Sequence, residues 1–309
     1  MKIVLLDALT FGATDLSAFN TLGEVVVHQT TATDETQERI KNATVVVTNK
    51  VLITKEFMLS AQNLKLICIA ATGMNNVDLD AAKELNIEVK NVAGYSTDSV
   101  IQHTFSMLFY LLGHSRYYDE VVKDGTYSQS KIFTDVSQPF FEVKGKKWGI
   151  VGLGAIGKGV AKIATAFGAQ VVYFSTSGIK RQEEYKEVGL DELLGSCDII
   201  TIHAPLNAKT DNLLDYKELQ QCKEGATILN LGRGGIINEE AVAKIIDEKN
   251  LFFGLDVLTQ EPIREKHPLL NVENRDKLYI TPHIAWTSVE ARDKLIASVI
   301  ENINASFIK

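Results

Sequence analysis

The sequence predicts an α/β protein made of two doubly wound parallel-sheet domains. Three observations carry this. An apolar run, Trp148-Gly149-Ile150-Val151, leads into Gly152-Leu153-Gly154-Ala155-Ile156-Gly157 and then into a helical pattern. Short apolar runs alternate with helical stretches twice, once before that motif and once from it onward. A closing helical stretch, 288–307, is too long for a tail and predicts a return onto the first domain.

The first alternation predicts strands at 2–6, 24–28, 44–48, 65–70 and 88–91, with helices such as 54–60 and 79–85 between them, a small open parallel sheet. A long helix follows from 99 to 112 and runs on toward Lys123. Residues 124–143 are rich in Ser, Thr, Gly and aromatics and predict irregular structure. The second alternation predicts strands at 147–152, 170–174, 198–203, 226–231, 251–256 and 278–281. After its first strand, Ile156, Val160, Ile163 and Phe167 recur at helical spacing, and Gly168 stands where a helix C-cap belongs. The expected division is a discontinuous first domain, 1–98 plus 285–309, and an inserted second domain, 99–284.

Placed between strand and helix, the three glycines have mechanical tasks. Gly152 permits the tight turn, Gly154 lets backbone approach a pyrophosphate, and Gly157 lets helix and strand pack closely. The helix N-terminus then offers free N–H groups and a positive dipole end to the phosphates. The second domain is therefore expected to bind a dinucleotide.

The composition suits a soluble globular chain: 45% of the 309 residues are hydrophobic and 23% charged. A net charge of −7 argues against nucleic acid as the main partner, although an acidic protein can still hold a basic pocket. Cys68, Cys197 and Cys222 have an odd count and no metal-ligand spacing, so they read as free thiols of a reducing compartment, and no metal site is expected. The opening run Met1–Asp7 is too short for a secretory signal, and no apolar run reaches the roughly 18 residues of a membrane span. A cytoplasmic protein is expected.

Ligands of open parallel sheets bind beyond the carboxyl ends of the strands. Beyond the second domain's strands stand the glycine turn, Ser175-Thr176-Ser177-Gly178, His203-Ala204-Pro205-Leu206, Gly232-Arg233-Gly234-Gly235, Asp256 with Glu261-Pro262, and Pro282-His283-Ile284-Ala285-Trp286. An arginine, a glutamate and a histidine thus converge on one rim. A 2-keto acid needs its carboxylate held and its carbonyl polarised, and a guanidinium fork does both. Hydride addition leaves an alkoxide that needs a proton, which histidine can supply. A neighbouring glutamate favours the charged imidazolium. Glycines around Arg233 would clear space for a ligand. Asp256 could fix a nicotinamide amide. Glu261 could instead be a solvated loop residue, and Arg233, His283 and Asp256 could be structural. His203 reads as structural or cofactor-packing rather than catalytic, and His28, His103, His114 and His267 carry no site signal.

Over nearly its whole length the chain resembles the D-isomer-specific 2-hydroxyacid dehydrogenase family. The stretches that carry the resemblance are 71–78 (Ala-Thr-Gly-Met-Asn-Asn-Val-Asp), 151–157, 203–210, 230–235, 255–262 and 281–285. The resemblance implies a flavodoxin-like substrate domain and an inserted Rossmann domain. It places the catalytic arginine, glutamate and histidine on Arg233, Glu261 and His283. The substrate-carboxylate loop falls on Thr72, Gly73 and Met74, and the aspartate near the nicotinamide on Asp256. Expected cofactor contacts are Gly152, Gly154, Ala155, Ile156, Gly157, Ser175, His203, Ala204, Pro205, Thr210, Leu231 and Asp256. The 71–78 stretch and Gly94–Thr104 resemble the hydroxypyruvate reductase, or glycerate dehydrogenase, branch. No extra C-terminal regulatory domain is expected. The resemblance also implies a homodimer through the cofactor domain, with residues 124–143 near the contact.

One position departs from the family. NAD-preferring members carry an acid at the end of the second strand of the cofactor domain, where this chain has Ser175. No carboxylate there repels a 2′-phosphate, and Lys180 and Arg181 follow closely. NAD(H) is the expected cofactor, and NADP(H) becomes plausible too. The expected reaction is reduction of hydroxypyruvate or glyoxylate, with domain closure excluding water. The alternatives are a D-lactate- or formate-type dehydrogenase on the same fold, or a dinucleotide-sensing binding protein without activity.

Overall fold

The computed structural model describes residues 1–179 and 183–307. The chain forms two compact units, one of Met1–Ser96 with the chain from Thr287 onward, the other of Thr97–Trp286.

The first unit holds strands β1 (Lys2–Leu5), β2 (Glu24–Val27), β3 (Val45–Thr48), β4 (Leu66–Ile69) and β5 (Glu88–Asn91). All pair in parallel, in the order β2-β1-β3-β4-β5. The order reverses between β1 and β3, the flavodoxin-like arrangement. Central strands β3 and β4 are buried at every position, whereas edge strands β2 and β5 are partly exposed. That is why the central strands read as unbroken apolar runs rather than alternating ones. Helices α1 (Thr33–Ile40), α2 (Lys55–Ser60) and α3 (Leu79–Glu84) close one core with Ile40, Met58, Ala81 and Ala82.

The C-terminal helix, Val289–Phe307, belongs to this unit and packs on β4. Ala291, Leu295, Val299 and Ile303, four residues apart, form its buried stripe. Each fully buried Leu, Ile or Val is worth about 1.5–3 kcal/mol. Ser288 caps the helix by accepting from Ala291 N at 3.2 Å. Lys90 Nζ of β5 donates to Asn302 O at 3.2 Å and Ser306 Oγ at 2.8 Å, and Arg292 Nη1 donates to Phe11 O at 2.7 Å. The first and last segments of the chain are thereby joined.

The second unit opens with α4 (Thr97–Leu112) and α5 (Ser115–Lys123). The expected continuation past Leu112 breaks at Gly113-His114, where His114 takes φ 45° and turns the chain. Residues 124–143 are irregular apart from a 3-10 turn at Tyr127–Gln129. Then come β6 (Lys147–Val151), α6 (Ala155–Ala166), β7 (Gln170–Phe174), β8 (Lys186–Glu187), α7 (Leu190–Ser196), β9 (Ile199–Ile202), α8 (Tyr216–Gln221), β10 (Thr227–Asn230), α9 (Glu239–Glu248), β11 (Phe252–Leu255) and β12 (Leu278–Ile280). The parallel sheet runs β12-β11-β10-β9-β6-β7-β8. This is the Rossmann order, with its reversal between β6 and β9. Two-residue β8 is not among the expected strands, because a pair of exposed residues has no period to detect.

Successive strand residues serve opposite faces. Ile150, Ile199 and Leu229 join Trp148, Met107 and Val160 beneath α4 and α6. Val151, Ile200 and Ile228 join Leu193, Leu219 and Ile245 beneath α7, α8 and α9. Buried Trp148 satisfies its indole by donating from Nε1 to Thr201 Oγ1 at 3.1 Å.

Candidate active site

The turns beyond β6, β7, β9, β10, β11 and β12 share the carboxyl end of the second sheet. Gly152 takes φ +91°, and a side chain there would press within 3.0 Å of Ala204 N in the turn after β9. A side chain at Gly157 would collide with the Gly152 carbonyl, so close strand–helix packing needs glycine there. Gly154, by contrast, faces open space and serves as the uncapped N-cap of α6, with Ala155 and Ile156 in the first turn. Free N–H groups beside open space suit an anion.

A cavity of about 240 Å³ continues from Gly152 and Gly154 past Ser175 to His203 and Pro205. His203 has both ring nitrogens buried and without a hydrogen-bond partner. Burial pushes its imidazole pKa down to about 3, so the ring is neutral. An unpaired buried polar group costs roughly 1–3 kcal/mol, and such orphans concentrate where a ligand belongs. The open Gly154, the free helix end and the orphaned imidazole together fit a dinucleotide.

Other expected cofactor residues have different tasks. Thr210 is fully buried, and its hydroxyl donates to Pro205 O at 2.7 Å and accepts from Asn207 N at 2.8 Å. It closes the turn after β9 rather than facing the groove. Ala204 and Leu231 are likewise buried. At the far end, Ser175 Oγ lies 3.3 Å from Ser177 Oγ. Ser175 brings no carboxylate to the strand end, but one enters the groove from further along the chain. Glu183 lines it beside Ser175, with Lys158 Nζ 2.9 Å from its Oε2. Lys180 and Arg181 lie outside the described residues.

The turn after β10 carries Arg233, half-buried, with Nη1 donating to Gly232 O at 2.9 Å. Buried Asn230 braces this turn from both sides: its Nδ2 donates to Arg233 O at 2.9 Å and its Oδ1 accepts from Gly232 N at 3.1 Å. Two of the flanking glycines, Gly232 and Gly234, admit neighbouring backbone. A side chain at Gly232 would come within 2.8 Å of Ala204 O, and one at Gly234 would collide with the Leu258 carbonyl. Gly234 therefore brings the Arg233 turn against the turn that carries Glu261.

His283 Nδ1 lies 2.7 Å from Glu261 Oε2, and Glu261 Oε1 accepts from Leu258 N at 2.9 Å. His283 itself sits at φ 55°, a conformation that costs a non-glycine residue about 1–3 kcal/mol. Asp256 holds that backbone in place. Its Oδ1 accepts from Thr281 Oγ1 at 2.6 Å and Ile284 N at 2.8 Å, and its Oδ2 from Ala285 N at 2.9 Å. At 1% exposure these bonds define what Asp256 visibly does, and a nicotinamide amide would have to share the same carboxylate. His103, without a site signal in the sequence, joins this cluster: Nε2 lies 3.3 Å from Thr281 Oγ1 and 3.7 Å from Asp256 Oδ1.

In the first unit, Thr72, Gly73 and Met74 form the turn beyond β4, with Thr72 and Met74 exposed. Asn91 Nδ2 donates to Thr72 O at 2.7 Å and Thr72 Oγ1 donates to Val92 O at 3.2 Å, which sets the loop's backbone.

These features find their counterpart among known proteins. A family model for the D-isomer specific 2-hydroxyacid dehydrogenase NAD binding domain matches residues 105–285. The chain is 34% identical to a hydroxypyruvate reductase of Blautia hydrogenotrophica, over 100% of this chain and 97% of that protein. It is 33% identical to a glycerate dehydrogenase of Methylorubrum extorquens, over 98% and 95% of the two chains. The crystal structure of the TT0316 protein from Thermus thermophilus superposes with a TM-score of 0.88 at 28% identity, covering 99% of this chain and 96% of that one. A matching family model over more than half of the chain and relatives of this identity over its full length leave one conclusion: the chain belongs to the D-isomer-specific 2-hydroxyacid dehydrogenases, a family of NAD(P)-dependent oxidoreductases.

Proposed function

We propose that the protein reduces a small 2-keto acid, hydroxypyruvate or glyoxylate, to the corresponding hydroxy acid, the D isomer in the case of hydroxypyruvate. The observation that carries this is the 2.7 Å pair between His283 Nδ1 and Glu261 Oε2, set on the same strand-end rim as Arg233. Relatives named for hydroxypyruvate and glycerate chemistry support the choice of substrate.

Bound at the glycine turn, a reduced nicotinamide would supply the hydride. Arg233 would bind the substrate carboxylate through its planar fork and draw charge from the keto oxygen. In the first unit, the Thr72–Gly73–Met74 backbone would offer N–H groups suited to a carboxylate. His283 would donate a proton from Nε2 to the alkoxide oxygen. Glu261 would accept a hydrogen bond from Nδ1–H, which orients the ring so that Nε2 faces the substrate. Neutral His203, kept so by burial, would serve cofactor packing and not acid catalysis. Ser175 would meet the adenosine ribose, and Gly152, Gly154 and Gly157 the pyrophosphate turn.

Two further parts belong to this reading. A homodimer through the second unit is supported by the apolar surface of residues 124–143, where Phe133 is 90% and Val136 75% exposed. A reducing, cytoplasmic setting is supported by Cys68, Cys197 and Cys222, all buried and free, with burial pushing their thiols up to about 12, 11 and 12.

The test is loss of reduced-nicotinamide absorbance with hydroxypyruvate, glyoxylate, pyruvate and larger 2-keto acids, each run with NADH and NADPH. Turnover highest on hydroxypyruvate or glyoxylate is expected. Absence of turnover on every keto acid, with dinucleotide still bound, would replace the enzymatic reading by a sensing one.

A further inference from the structure

Glu239 opens α9 only six residues after Arg233, and nothing in the reaction described so far uses it. Its side chain is 10% exposed and fully engaged. Oε1 accepts both the backbone N–H of Thr259, at 2.5 Å, and the Thr259 hydroxyl, at 2.7 Å. Oε2 lies 3.0 Å from His267 Nε2. His267 Nδ1 accepts from Leu269 N at 3.3 Å, so the ring proton sits on Nε2 and points at the carboxylate. Glutamate here seizes one residue of the next turn by two donors and is itself held by an imidazole.

That residue is two positions before Glu261. Leu258, on its other side, donates its N–H to Glu261 Oε1 at 2.9 Å and lies against Gly234 of the Arg233 turn. The carboxylate of Glu261 is therefore gripped at one oxygen by the backbone that Glu239 fixes, and its other oxygen meets His283 Nδ1 at 2.7 Å. We propose that Glu239 is a positioning residue for proton delivery: by locking Thr259 it sets the Leu258–Glu261 turn, and through it the orientation of the His283 imidazole, while tying that turn to the Arg233 side of the site. His267 holds Glu239 in the required rotamer. This inference rests on the catalytic reading of Glu261 and His283 given above.

The physics is that of pre-organised groups. Displacing a reacting group by about 1 Å can cost about a hundredfold in rate. Glu239→Ala should lower kcat for keto-acid reduction about 10–100-fold while leaving the NADH dissociation constant within about twofold, because Glu239 touches neither the glycine turn nor Ser175. Thr259→Val removes only the hydroxyl bond and keeps the residue's shape. It should lower kcat by less, about 3–10-fold, and Thr259→Ser should restore it.

The deciding measurement is a double-mutant cycle of kcat with Glu261→Ala, using purified protein, NADH and hydroxypyruvate. If Glu239 acts through Glu261, adding Glu239→Ala to Glu261→Ala costs less than about threefold more. Full multiplication of the two losses, or an unchanged kcat in Glu239→Ala, would overturn the proposal while leaving Glu261 in the mechanism. An unchanged kcat in Glu261→Ala alone would overturn the catalytic reading, and this inference with it. If Glu239→Ala does not fold, Thr259→Val takes its place in the same cycle: its own loss should largely vanish in the Glu261→Ala background, and full multiplication of the two losses would overturn the proposal.

Discussion

His283 Nδ1 stands 2.7 Å from Glu261 Oε2, and the two residues come from turns after adjacent parallel strands, β12 and β11. Asp256, at the end of β11, braces the His283 turn from both sides, accepting from Thr281 before it and from Ile284 and Ala285 after it. One strand end thus supplies both the carboxylate that faces the imidazole and the carboxylate that bends the imidazole's backbone toward it.

His283→Gln keeps a polar side chain at this φ 55° position but removes the transferable proton. General acid catalysis typically supplies about 10²–10⁴-fold, so kcat should fall by that order while NADH binding is unchanged. Stopped-flow hydride transfer and NADH fluorescence titration measure the two separately. Near wild-type turnover would take His283 out of the mechanism.

Arg233→Lys preserves the charge and loses the fork. A hydrogen bond to a charged group is worth about 1.5–3 kcal/mol, which for one lost bond is roughly a 10–150-fold fall in kcat/KM for keto acids. Because Asn230 binds the Arg233 backbone and not its guanidinium, the turn should keep its shape and the thermal midpoint should move little. Unchanged kcat/KM would place the substrate carboxylate elsewhere.

Much of this site is legible from strand ends alone. Once the apolar runs are known, parallel topology dictates that Arg233, Glu261 and His283 share a rim, although 50 positions separate the first from the last. What sequence does not display is contact between side chains of separate turns. Glu183 follows Ser175 by eight positions and returns to the same groove wall. His103 reaches Thr281 from α4, and Glu239 reaches Thr259 across the sheet end. None of these has a spacing that marks it, since each depends on how two loops fold toward one another. The glycines around Arg233 show the converse: their presence is visible in the sequence, but the neighbours they accommodate are backbone atoms of Ala204 and Leu258.

His203 makes the stability of the unliganded protein depend on pH. Its folded pKa is depressed to about 3 from an ordinary 6.5 by burial. Below pH 6.5 the unfolded chain gains a proton that the folded ring refuses until about pH 3. Stability is therefore full above the upper value and falls toward the lower one, by up to about 1.4 kcal/mol per pH unit. His203→Asn should lose this component, so the difference between wild type and variant in urea unfolding should change by about 2 kcal/mol between pH 7 and pH 5. Parallel pH profiles for the two proteins would show that the imidazole is solvated after all.

In the proposed reading, cofactor choice turns on the groove at the end of β7. Ser175 can hydrogen-bond a ribose hydroxyl or a phosphate, but it neither grips both hydroxyls nor repels a 2′-phosphate. Glu183 brings a carboxylate to the same groove, partly neutralised by Lys158 at 2.9 Å. A serine that accepts either group, beside a carboxylate already paired, should discriminate weakly, with both NADH and NADPH used. Ser175→Asp adds a two-point acceptor for the ribose and an unpaired charge facing the 2′ position, so it should move the ratio of kcat/KM values toward NADH. Steady-state kinetics with both dinucleotides, on wild type and variant, measure that ratio directly. A ratio that stays put, or moves toward NADPH, would mean that Ser175 does not face the ribose and that the adenosine lies elsewhere along the groove.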